Sequence, residues 1–588
     1  MLYTLVTQNN LSTAITELQG CKVIGLDTET YGLKVNDKMF SLILCNGVKV
    51  FYFNFHDYQD GTVVLDKAEV LRMLTPLFDD ATITWPMHNA PFDLHRLFLE
   101  DKTIAGTVWC TRAAAVIQYN QHFKYDLASC LDRIGLKKVD EVEKYISKNK
   151  LYTWEEVEGK AKRNKLKHFE KVPFDMMFEY ACMDAVGTYK LYEYQYKDCA
   201  PFMVTESGIA KICARMYKRG IIVDQSYART AWHKEARNLD NVKDQISKLS
   251  GEPFKNSSAY FAKILKAAGE KITYDKKTNN PKIDKKALNK MSSPIAALIK
   301  EYRRASKYIS TYYSGLIYES KIDGLLHPSL KSMGATTGRF SSPWQQLPKK
   351  AVNGTEVRKC LIPRKGYTIA ALDFSQQEFR LAADYAGETA LIFQISQGGV
   401  DVHQTTADMC GLSRDQAKTL NFALLYGVGI TELSVMLGVT IAKARQIKDK
   451  YFASLRKIKR LLADVERKSK KNGYIKTITG RKLFLPKVPG IDFGYKQPNA
   501  LIQGGASDMV KIAMVRCQQY IDKHNLDIHI LLQVHDEIIF EVALGLENHI
   551  EQLKMIMQQS YKPFNGCYME CTSDTSEVSM AKSDLEAA

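Results

Sequence analysis

Polar and acidic side chains interrupt an apolar run near the end of the chain. The run extends from Leu531 to Phe540, and His535, Asp536 and Glu537 lie in its middle. Burying an ionised carboxylate without a partner costs several kcal/mol or more, and a metal ion is a usual compensation where a strand end meets a cleft. We therefore interpret the run as a hairpin candidate that carries a metal-binding acid.

A second acid, Asp373, follows the strand-like segment YTIAALD and precedes a helix-like segment. A single acid at a strand end is most often part of a turn or a helix cap. If the strands that carry Asp373 and Asp536 are neighbours, however, the two acids could hold two divalent ions about 3.5–4 Å apart. One ion would then activate a hydroxyl group, and the other would stabilise a leaving oxygen. Aspartate suits this role because Mg²⁺ prefers hard oxygen ligands.

Four side chains between these two acids recur at every fourth position. They are Arg414, Lys418, Phe422 and Tyr426. Residues four apart share one face of a helix, so this face would present two cations followed by two aromatic rings. Such a face suits a nucleoside triphosphate, with the cations on the phosphates and the rings near the base. The alternative is an amphipathic helix whose cations extend along its side into water.

The first 200 residues contain another set of acids on three separate segments. Asp27 and Glu29 are two apart on a predicted strand and therefore share a face. Asp93 lies on a predicted helix, and Tyr180 and Asp184 are four apart on another helix. Each of these acids alone could be a turn residue or a surface charge. On three segments of one predicted α/β unit, they indicate a second site.

The order of the predicted elements divides the chain, because 588 residues exceed what a single core normally holds. Residues 1–200 alternate strand-like and helix-like runs, which predicts an α/β domain. A lysine-rich segment at 160–171 within this domain is predicted to be an exposed loop.

The remaining residues alternate between helical and strand-like regions. Residues from about 200 to 313 are predicted to be helical, interrupted by a basic insert at 274–286 that is either a solvated loop or a tip that touches phosphate. Strand-like segments return between 338 and 385, and helices follow to about residue 470. The pattern then predicts a helix from Asn499 to His524, the hairpin candidate, and a polar tail over 572–588.

Composition restricts the class of protein. The formal net charge of +17 and the pI of 9.1 suit a polyanionic partner such as nucleic acid, although a merely soluble basic protein would fit equally well. The twelve cysteines form no CxxC pair, which argues against a zinc knuckle and a disulfide framework and suits a reducing cytoplasm. The N-terminus turns polar within ten residues and no apolar run reaches about 18 residues, so we expect no signal peptide and no membrane span.

Several motifs together resemble the family A DNA polymerases. DFSQQEFR, RDQAKTLNFALLYG and VHDE look like the three polymerase motifs of that family, in the same order, and TTGRFSS, MYKRGIIVD and NALIQGGASDMVK match further segments. The acids of the first 200 residues resemble the exonuclease motifs of the DEDD superfamily, in the variant that carries a tyrosine. The resemblance covers nearly the whole chain.

The resemblance implies a multidomain protein with α/β and α+β parts. A ribonuclease-H-like exonuclease domain at the N-terminus would be followed by a right-hand polymerase with thumb, palm and fingers. The implied domains are the 3′-5′ exonuclease domain (1–200), the thumb (201–313), the first part of the palm (314–385), the fingers (386–497), and the second part of the palm with the tail (498–588).

The resemblance also assigns roles at the polymerase site. Two Mg²⁺ ions, for which Mn²⁺ could substitute, would be held by Asp373, Asp536 and the carbonyl group of Phe374. Lys418 would also protonate the departing pyrophosphate, and Glu378 would lie under the 2′ position of the sugar. The full set implied to bind the nucleotide is Arg414, Lys418, His403, Phe422, Tyr426, Glu378 and Gln376.

For Glu378, the alternative is that the carboxylate only pairs with a nearby cation. Contacts to DNA are implied for four further residues. Arg339, Asn499 and Gln503 would read minor-groove acceptors that are common to all correct base pairs, and His535 would touch the primer terminus.

At the exonuclease site, the resemblance implies that two further Mg²⁺ ions are held by the acids Asp27, Glu29, Asp93 and Asp184, and that Tyr180 orients the attacking water. An editing site has a physical reason, because binding alone discriminates between similar substrates by only about 10–200-fold. Primer-template DNA and deoxynucleoside triphosphates are the implied partners. Compactness, and the absence of a 5′-nuclease region ahead of residue 1, favour a bacteriophage replicative enzyme, a monomer in the cytoplasm of the host cell, with an unidentified helicase or processivity factor and no membrane.

Three rival interpretations remain. A DEDD exonuclease could have a C-terminal region that only binds nucleic acid, which would require a broken polymerase motif. A single-subunit RNA polymerase would share the palm and the nucleotide-binding helix, but Glu378 and the exonuclease motifs argue against it. A DNA-binding protein without enzymatic activity would explain the charge but neither group of acids.

Overall fold

The N-terminal region is an α/β unit built on short sheets. The computed structural model describes residues 1–138, 140–156, 164–275, 278–396 and 401–585. The strands of this region are β1 (Leu2–Leu5), β2 (Gly25–Thr30), β3 (Met39–Cys45), β4 (Lys49–Asn54), β5 (Thr84–Met87), β6 (Thr107–Cys110), β7 (Tyr152–Glu155) and β8 (Asn164–Lys167). Its helices are α1 (Leu11–Leu18), α2 (Lys67–Phe78), α3 (Pro91–Phe98), α4 (Thr111–Gln118), α5 (Leu127–Asp132), α6 (Glu141–Lys148) and α7 (Phe174–Arg219).

Strands β1 to β4 form a sheet in the order β1-β4-β3-β2, in which β1 and β4 are parallel and the other pairs are antiparallel. Strands β5 and β6 pair in parallel, and a parallel bridge between Val23 and Thr84 joins them to the approach to β2. Every residue of β3 is buried, and all of them except Ser41 are apolar. The predicted α/β domain is confirmed.

Part of the loop predicted at 160–171 is regular structure. Strand β8 pairs antiparallel with β7, and a short 3-10 turn follows at Phe169–Lys171. The prediction of a loop is therefore wrong for these residues, and residues 160–163 lie outside the described part of the chain. The Lys165 ammonium lies 3.8 Å from the centroid of the Tyr152 ring, so cross-strand contacts hold lysines that composition alone assigns to a loop.

The central region is helical. Its strands are β9 (Ile221–Val223), β10 (Thr273–Tyr274), β11 (Pro281–Lys282) and β12 (Leu325–Leu326). Its helices are α8 (Gln225–Ser250), α9 (Ser258–Ala267), α10 (Lys285–Leu288), α11 (Pro294–Lys307) and α12 (Ser314–Glu319), with a π-helical turn at Tyr308–Tyr313 between the last two. The basic insert forms the two-stranded hairpin of β10 and β11, and its residues 276 and 277 lie outside the described part.

The C-terminal half combines a sheet with a helical subdomain. Its strands are β13 (Leu361–Ile362), β14 (Tyr367–Phe374), β15 (Tyr474–Lys476), β16 (Lys482–Phe484), β17 (Ile528–Val534), β18 (Glu537–Ala543) and β19 (Cys571–Ser576). Its helices are α13 (Gln377–Ala386), α14 (Thr389–Ser396), α15 (Val402–Cys410), α16 (Arg414–Leu425), α17 (Ile430–Leu437), α18 (Ile441–Ser454), α19 (Arg456–Asn472), α20 (Gln497–Lys523), α21 (Asn548–Gln558) and α22 (Lys582–Leu585). Short 3-10 turns occur at Pro343–Gln346, Val357–Cys360 and Gly494–Lys496.

The C-terminal sheet has the order β17-β18-β14-β19, and every pair in it is antiparallel. The predicted hairpin is confirmed as β17 and β18, and the helices predicted up to residue 470 end at Asn472. The helix predicted from Asn499 begins two residues earlier, because Pro498 is tolerated in its first turn.

The segment predicted as a polar tail is instead part of this sheet. Strand β19 pairs with β14 along its full length, and the following residues Met580 and Ala581 are buried. The prediction of a tail is therefore wrong over 572–585, the last residues being outside the described part. Its small polar residues form an edge strand, where one face stays in water, so composition did not reveal the strand.

Helix α7 is one continuous helix of 46 residues, and it crosses the domain boundary expected at residue 200. Its first part packs against β2 to β6, and its later part contacts α20 and β17. Despite its length, neither α7 nor any other helix in the described ranges is apolar enough to cross a membrane. The expected exonuclease domain and the following region therefore share one element.

A buried carboxylate anchors the segment that leads into β19. Asp384, at the end of α13, is fully buried. It accepts hydrogen bonds from the main-chain N–H groups of Phe564 (2.7 Å), Asn565 (2.9 Å) and Cys567 (3.1 Å) and from the Tyr561 hydroxyl (2.5 Å). One side chain thus satisfies four donors between α21 and β19.

We expect Asp384→Ala to lower the free energy of unfolding by about 3 kcal/mol, because it leaves buried donors without an acceptor. Urea unfolding followed by circular dichroism measures this loss. The matched control is Asp408→Ala, an exposed aspartate on α15, for which a change within about 0.5 kcal/mol is expected. Equal effects of the two substitutions would contradict the anchoring role.

Candidate functional site

The hairpin of β17 and β18 places Asp536 beside the end of β14. His535 and Asp536 form its turn, and the main-chain N–H of Phe374 donates to the carbonyl oxygen of Asp536 at 3.2 Å. The register of β14 on β18 sets Asp373 opposite Glu537. The structure therefore brings together the two acids that the sequence predicted to act as a pair.

The carboxylates of Asp373 and Asp536 repel each other when both are ionised. Burial, and next the charge of Asp536, raise the pKa of Asp373 to about 7, and burial raises the pKa of Asp536. The Oδ1 atom of Asp373 is buried and has no hydrogen-bond partner. A hard divalent cation fits these residues, because it would satisfy that oxygen and offset the repulsion.

Two backbone positions beside the acids carry strain. Gln376 and His535 have φ angles of +53° and +61°, a region that residues other than glycine rarely adopt. Such strain persists where the surrounding structure holds it, and it is common at active sites. Gln376 precedes α13, and its Oε1 atom is buried without a partner.

Two cations beside these acids were not anticipated. Lys349 Nζ lies 3.2 Å from Glu537 Oε2 and 3.8 Å from Asp373 Oδ2, and the buried Arg358 guanidinium lies 3.3 Å from Glu537 Oε2. Glu537 is thus already paired with two cations. The only signal in the sequence was the charge of these residues, which many other lysines and arginines share.

Helix α16 carries the predicted nucleotide-binding face. It begins with a capping box formed by Ser413 and Gln416, and Lys418 is exposed. The rings of Phe422 and Tyr426 lie 6.0 Å apart. The Arg414 guanidinium pairs with Asp401, so a phosphate would compete with this acid.

His403, which the resemblance implied, lies against this face. Its ring is 5.9 Å from that of Phe422, and burial lowers its pKa. The Asn421 amide is 3.0 Å from Nδ1 of His403, which leaves Nε2 to carry the proton of a neutral ring. A neutral His403 would therefore donate a hydrogen bond and would not contribute charge.

Glu378 contacts two of the expected residues, Tyr426 and Arg339. The Tyr426 hydroxyl donates to Glu378 Oε2 at 2.7 Å, and the Arg339 guanidinium pairs with its other oxygen. Glu378 therefore does pair with a cation, as the alternative interpretation held. Gln503 contacts Tyr426, and Asn499 on the same helix has a buried oxygen without a partner.

The acids of the N-terminal region also come together. Asp93 on α3 and Asp184 on α7 are buried, and Asp27 and Glu29 on β2 interact with both as charges. Burial raises the pKa of Asp93 to about 7 and, with the charge of Asp184, that of Glu29 to about 8. Burial likewise raises the pKa of Tyr180. The predicted cluster of acids and one tyrosine is thus present.

A lysine that sequence reasoning missed lies in this cluster. The Lys138 ammonium pairs with Asp184 and donates to the Tyr180 hydroxyl at 3.0 Å. Within the described residues, no three His, Cys, Asp or Glu side chains are grouped to hold a metal ion as they stand. The four carboxylates nevertheless supply the oxygen donors that Mg²⁺ prefers, so the donor set fits the ion.

Comparisons with known proteins identify the two parts of the chain. Residues 225–572 match the family model described as DNA polymerase family A. The chain belongs to this family. Residues 3–197 of this family A chain match the model described as 3′-5′ exonuclease. Both parts of the expected fold are thereby confirmed.

Several curated relatives resemble the family A chain. DNA polymerase I of Pseudomonas aeruginosa is 26% identical over 581 residues, covering 91% of this chain and 61% of the relative. DNA polymerase I of Chloroflexus aurantiacus is 29% identical over 543 residues, covering 84% and 54%. DNA polymerase DpoZ of Salmonella phage PMBT28 is 26% identical over 617 residues, covering 92% and 94%. The chain thus spans about three-fifths of the first relative and half of the second.

A solved structure shares the fold. The POL domain of Pol1 from M. smegmatis, in complex with DNA primer-template and dNTP, superposes with a TM-score of 0.82 over 98% of this chain and 99% of that chain, at 20% identity. At this identity the comparison supports the family A fold and does not assign individual residues.

The raised pKa of Asp373 predicts a pH dependence of stability. Between about pH 4 and about pH 7, the metal-free folded protein binds more protons at Asp373 than the unfolded chain does. Its stability should therefore fall as the pH rises through this window. Because Asp373→Asn removes the ionisation, the variant should melt at a higher temperature than the unsubstituted protein at pH 8 in EDTA, with little difference at pH 4.

Thermal unfolding across this pH range provides the measurement. The control Asp408→Asn alters an exposed aspartate and should follow the unsubstituted protein at each pH. If the difference between Asp373→Asn and the unsubstituted protein does not change with pH, the assignment of this titration to Asp373 is wrong.

Proposed function

We propose that the chain is a template-directed DNA polymerase that adds deoxynucleotides to the 3′ end of a primer and proofreads with a 3′-5′ exonuclease. The observation that carries this proposal is the pair formed by Asp373 and Asp536 at the end of neighbouring strands. Through Glu378 and Tyr426, this strand end is joined to the helix that presents cations and rings. Membership of family A supports the same reaction.

Divalent ions would complete the polymerase site. Asp373, Asp536 and the carbonyl group of Phe374 would hold two Mg²⁺ ions, for which Mn²⁺ could substitute. When bound, such ions activate the attacking hydroxyl and stabilise the leaving oxygen. The unpartnered Oδ1 of Asp373 supports this assignment. Lys349 and Arg358 would keep Glu537 neutralised, so that it does not add to the repulsion.

The chain's own residues would bind and orient the nucleotide. Arg414 and Lys418 would hold the triphosphate by charge-assisted hydrogen bonds, with His403 donating from Nε2. Phe422 would pack on the sugar, and Lys418 would protonate the pyrophosphate as it departs. Tyr426 would lie near the template base, where its hydroxyl also fixes Glu378.

Primer-template DNA would occupy the same cleft. Arg339, Asn499 and Gln503 would read the minor groove, and His535 would touch the primer terminus. Arg339 would first have to leave Glu378, so DNA binding and nucleotide selection would be coupled through one ion pair. The net charge of +17 supports binding to a polyanion.

The N-terminal site would remove misincorporated nucleotides. Asp27, Glu29, Asp93 and Asp184 would hold two further Mg²⁺ ions, and Tyr180 would orient the water that attacks the terminal phosphodiester. Hydrolysis at a second site would add discrimination that binding alone does not supply. Burial of these acids beside one another supports the proposal, because such a group is costly unless cations offset its charge.

The proposal extends to a replicative role in a bacteriophage. The phage relative is matched over 94% of its own length, whereas the two bacterial relatives are matched over 61% and 54%. A monomer in the host cytoplasm that works with a helicase or processivity factor remains a prediction, as do the domain boundaries.

The two proposed sites should be separable by mutation. Asp373→Ala or Asp536→Ala should abolish primer extension and leave 3′-end trimming, because each removes a ligand from one site alone. Asp27→Ala combined with Glu29→Ala should do the reverse. Labelled primers run on a denaturing gel, with and without dNTPs, report both activities, and circular dichroism confirms folding. Loss of both activities in a folded single-site variant would contradict two independent centres.

Glu378 should make the enzyme choose deoxyribonucleotides. A ribose 2′-OH would meet a carboxylate that Tyr426 and Arg339 already hold in place, and overpacking typically costs about 1–3 kcal/mol. Glu378→Ala should therefore raise incorporation of rNTP relative to dNTP by about tenfold or more, which equals about 1.4 kcal/mol. Tyr426→Phe, which removes only the restraining hydroxyl, should raise the ratio less.

Competition between rNTP and dNTP in single-nucleotide extension measures this ratio in an exonuclease-deficient background. The control Glu432→Ala changes a carboxylate on α17 and should leave the ratio unchanged. If Glu378→Ala still extends primers with dNTPs and keeps a ratio of rNTP to dNTP incorporation within about twofold of the parent enzyme, Glu378 does not select against ribonucleotides.

A further inference from the structure

A lysine side chain lies among the carboxylates of the N-terminal site. The Lys138 ammonium pairs with Asp184 and hydrogen-bonds the Tyr180 hydroxyl at 3.0 Å. It lies 4.5 Å from the centroid of the Tyr180 ring. It also attracts Asp27 and Glu29 as charges. One cation of the chain itself therefore occupies the neighbourhood in which the carboxylates would hold metal ions.

This lysine reaches the acids from an irregular segment. The acids belong to β2, α3 and α7, whereas Lys138 follows the turn after α5 and precedes α6. A side chain from such a segment can withdraw without moving the strand or the helices. The pairing with Asp184 is thus separable from the framework that positions the acids.

The two carboxylate sites differ in how a lysine pairs with the proposed metal ligands. At the C-terminal sheet, Lys349 lies closer to Glu537 than to Asp373, and Oδ1 of Asp373 is left without a partner. At the N-terminal site, the ammonium pairs directly with Asp184, one of the proposed metal ligands. An ammonium and a metal ion compete for the same lone pairs of a carboxylate oxygen.

We propose that Lys138 is the resting counter-ion of the N-terminal site and that divalent cations must displace it from Asp184 in order to bind. Lys138 thereby lowers the metal affinity of this site. The proposal rests on the proposed exonuclease function for the identity of the site. Its tests measure metal binding and lysine exposure, so it can fail or stand independently of trimming activity.

The first test measures metal binding directly. In a background of Asp373→Ala and Asp536→Ala, which disables the other site, Mn²⁺ is titrated by calorimetry into protein with and without Lys138→Met. Removal of a competing cation should tighten Mn²⁺ binding by about fivefold or more. The matched control is Lys137→Met, the exposed neighbour, which should leave the affinity unchanged. Unchanged or weaker binding in a folded Lys138→Met protein would overturn the proposal.

The second test uses the unsubstituted chain, so it holds even if the variant fails to fold. Lysine acetylation is followed by mass spectrometry with Mg²⁺ and with EDTA. A displaced ammonium is freed from Asp184, so acetylation of Lys138 should rise with Mg²⁺ while that of Lys137 stays constant. Equal acetylation of Lys138 in both conditions would overturn the proposal. Displacement without any trimming activity would instead count against the exonuclease function.

Discussion

Both proposed sites hold carboxylates side by side and away from water. The rest of the structure must therefore keep these groups together and supply positive charge to compensate them. The ionised form of each carboxylate is destabilised, because burial and repulsion by the neighbouring acids both oppose ionisation. The C-terminal sheet holds its acids by ladder hydrogen bonds on both sides of β14, so repulsion cannot separate them. Lys349 and Arg358 at one site and Lys138 at the other supply compensating charge.

The acids themselves could be predicted because their signals are local. Asp373 ends an apolar strand and Asp536 interrupts an apolar hairpin, and both anomalies are visible within ten residues. The face of α16 follows from a spacing of four. The compensating cations could not be predicted, because Lys349 and Lys138 reach their partners from segments distant in the sequence. Among 82 lysines and arginines, neither carries a distinguishing pattern.

The errors in the predicted fold have the same origin. Strand β19 looked like a tail because its small polar residues have no apolar alternation, and only its pairing with β14 makes it a strand. Strand β8 looked like a loop because of its lysines. Helix α7 was divided at residue 200, although nothing local ends the helix there; even Pro201 lies within it. Contacts with other parts of the chain therefore determined the secondary structure of segments for which local sequence propensity was not decisive.

Helix α7 also fixes the distance between the two proposed sites. It carries Asp184 near its start and ends at Arg219, which pairs with Glu541 on β18 at 2.7 Å. At about 1.5 Å per residue, the helix is about 69 Å long. In the last third of the helix, the buried pair of Glu206 and Lys511 ties it to α20 at 2.7 Å. Because α7 is one continuous helix that is tied to the C-terminal region at this pair and at Arg219, the two sites cannot approach each other along it. In the proposed reaction, it is the primer end that must move.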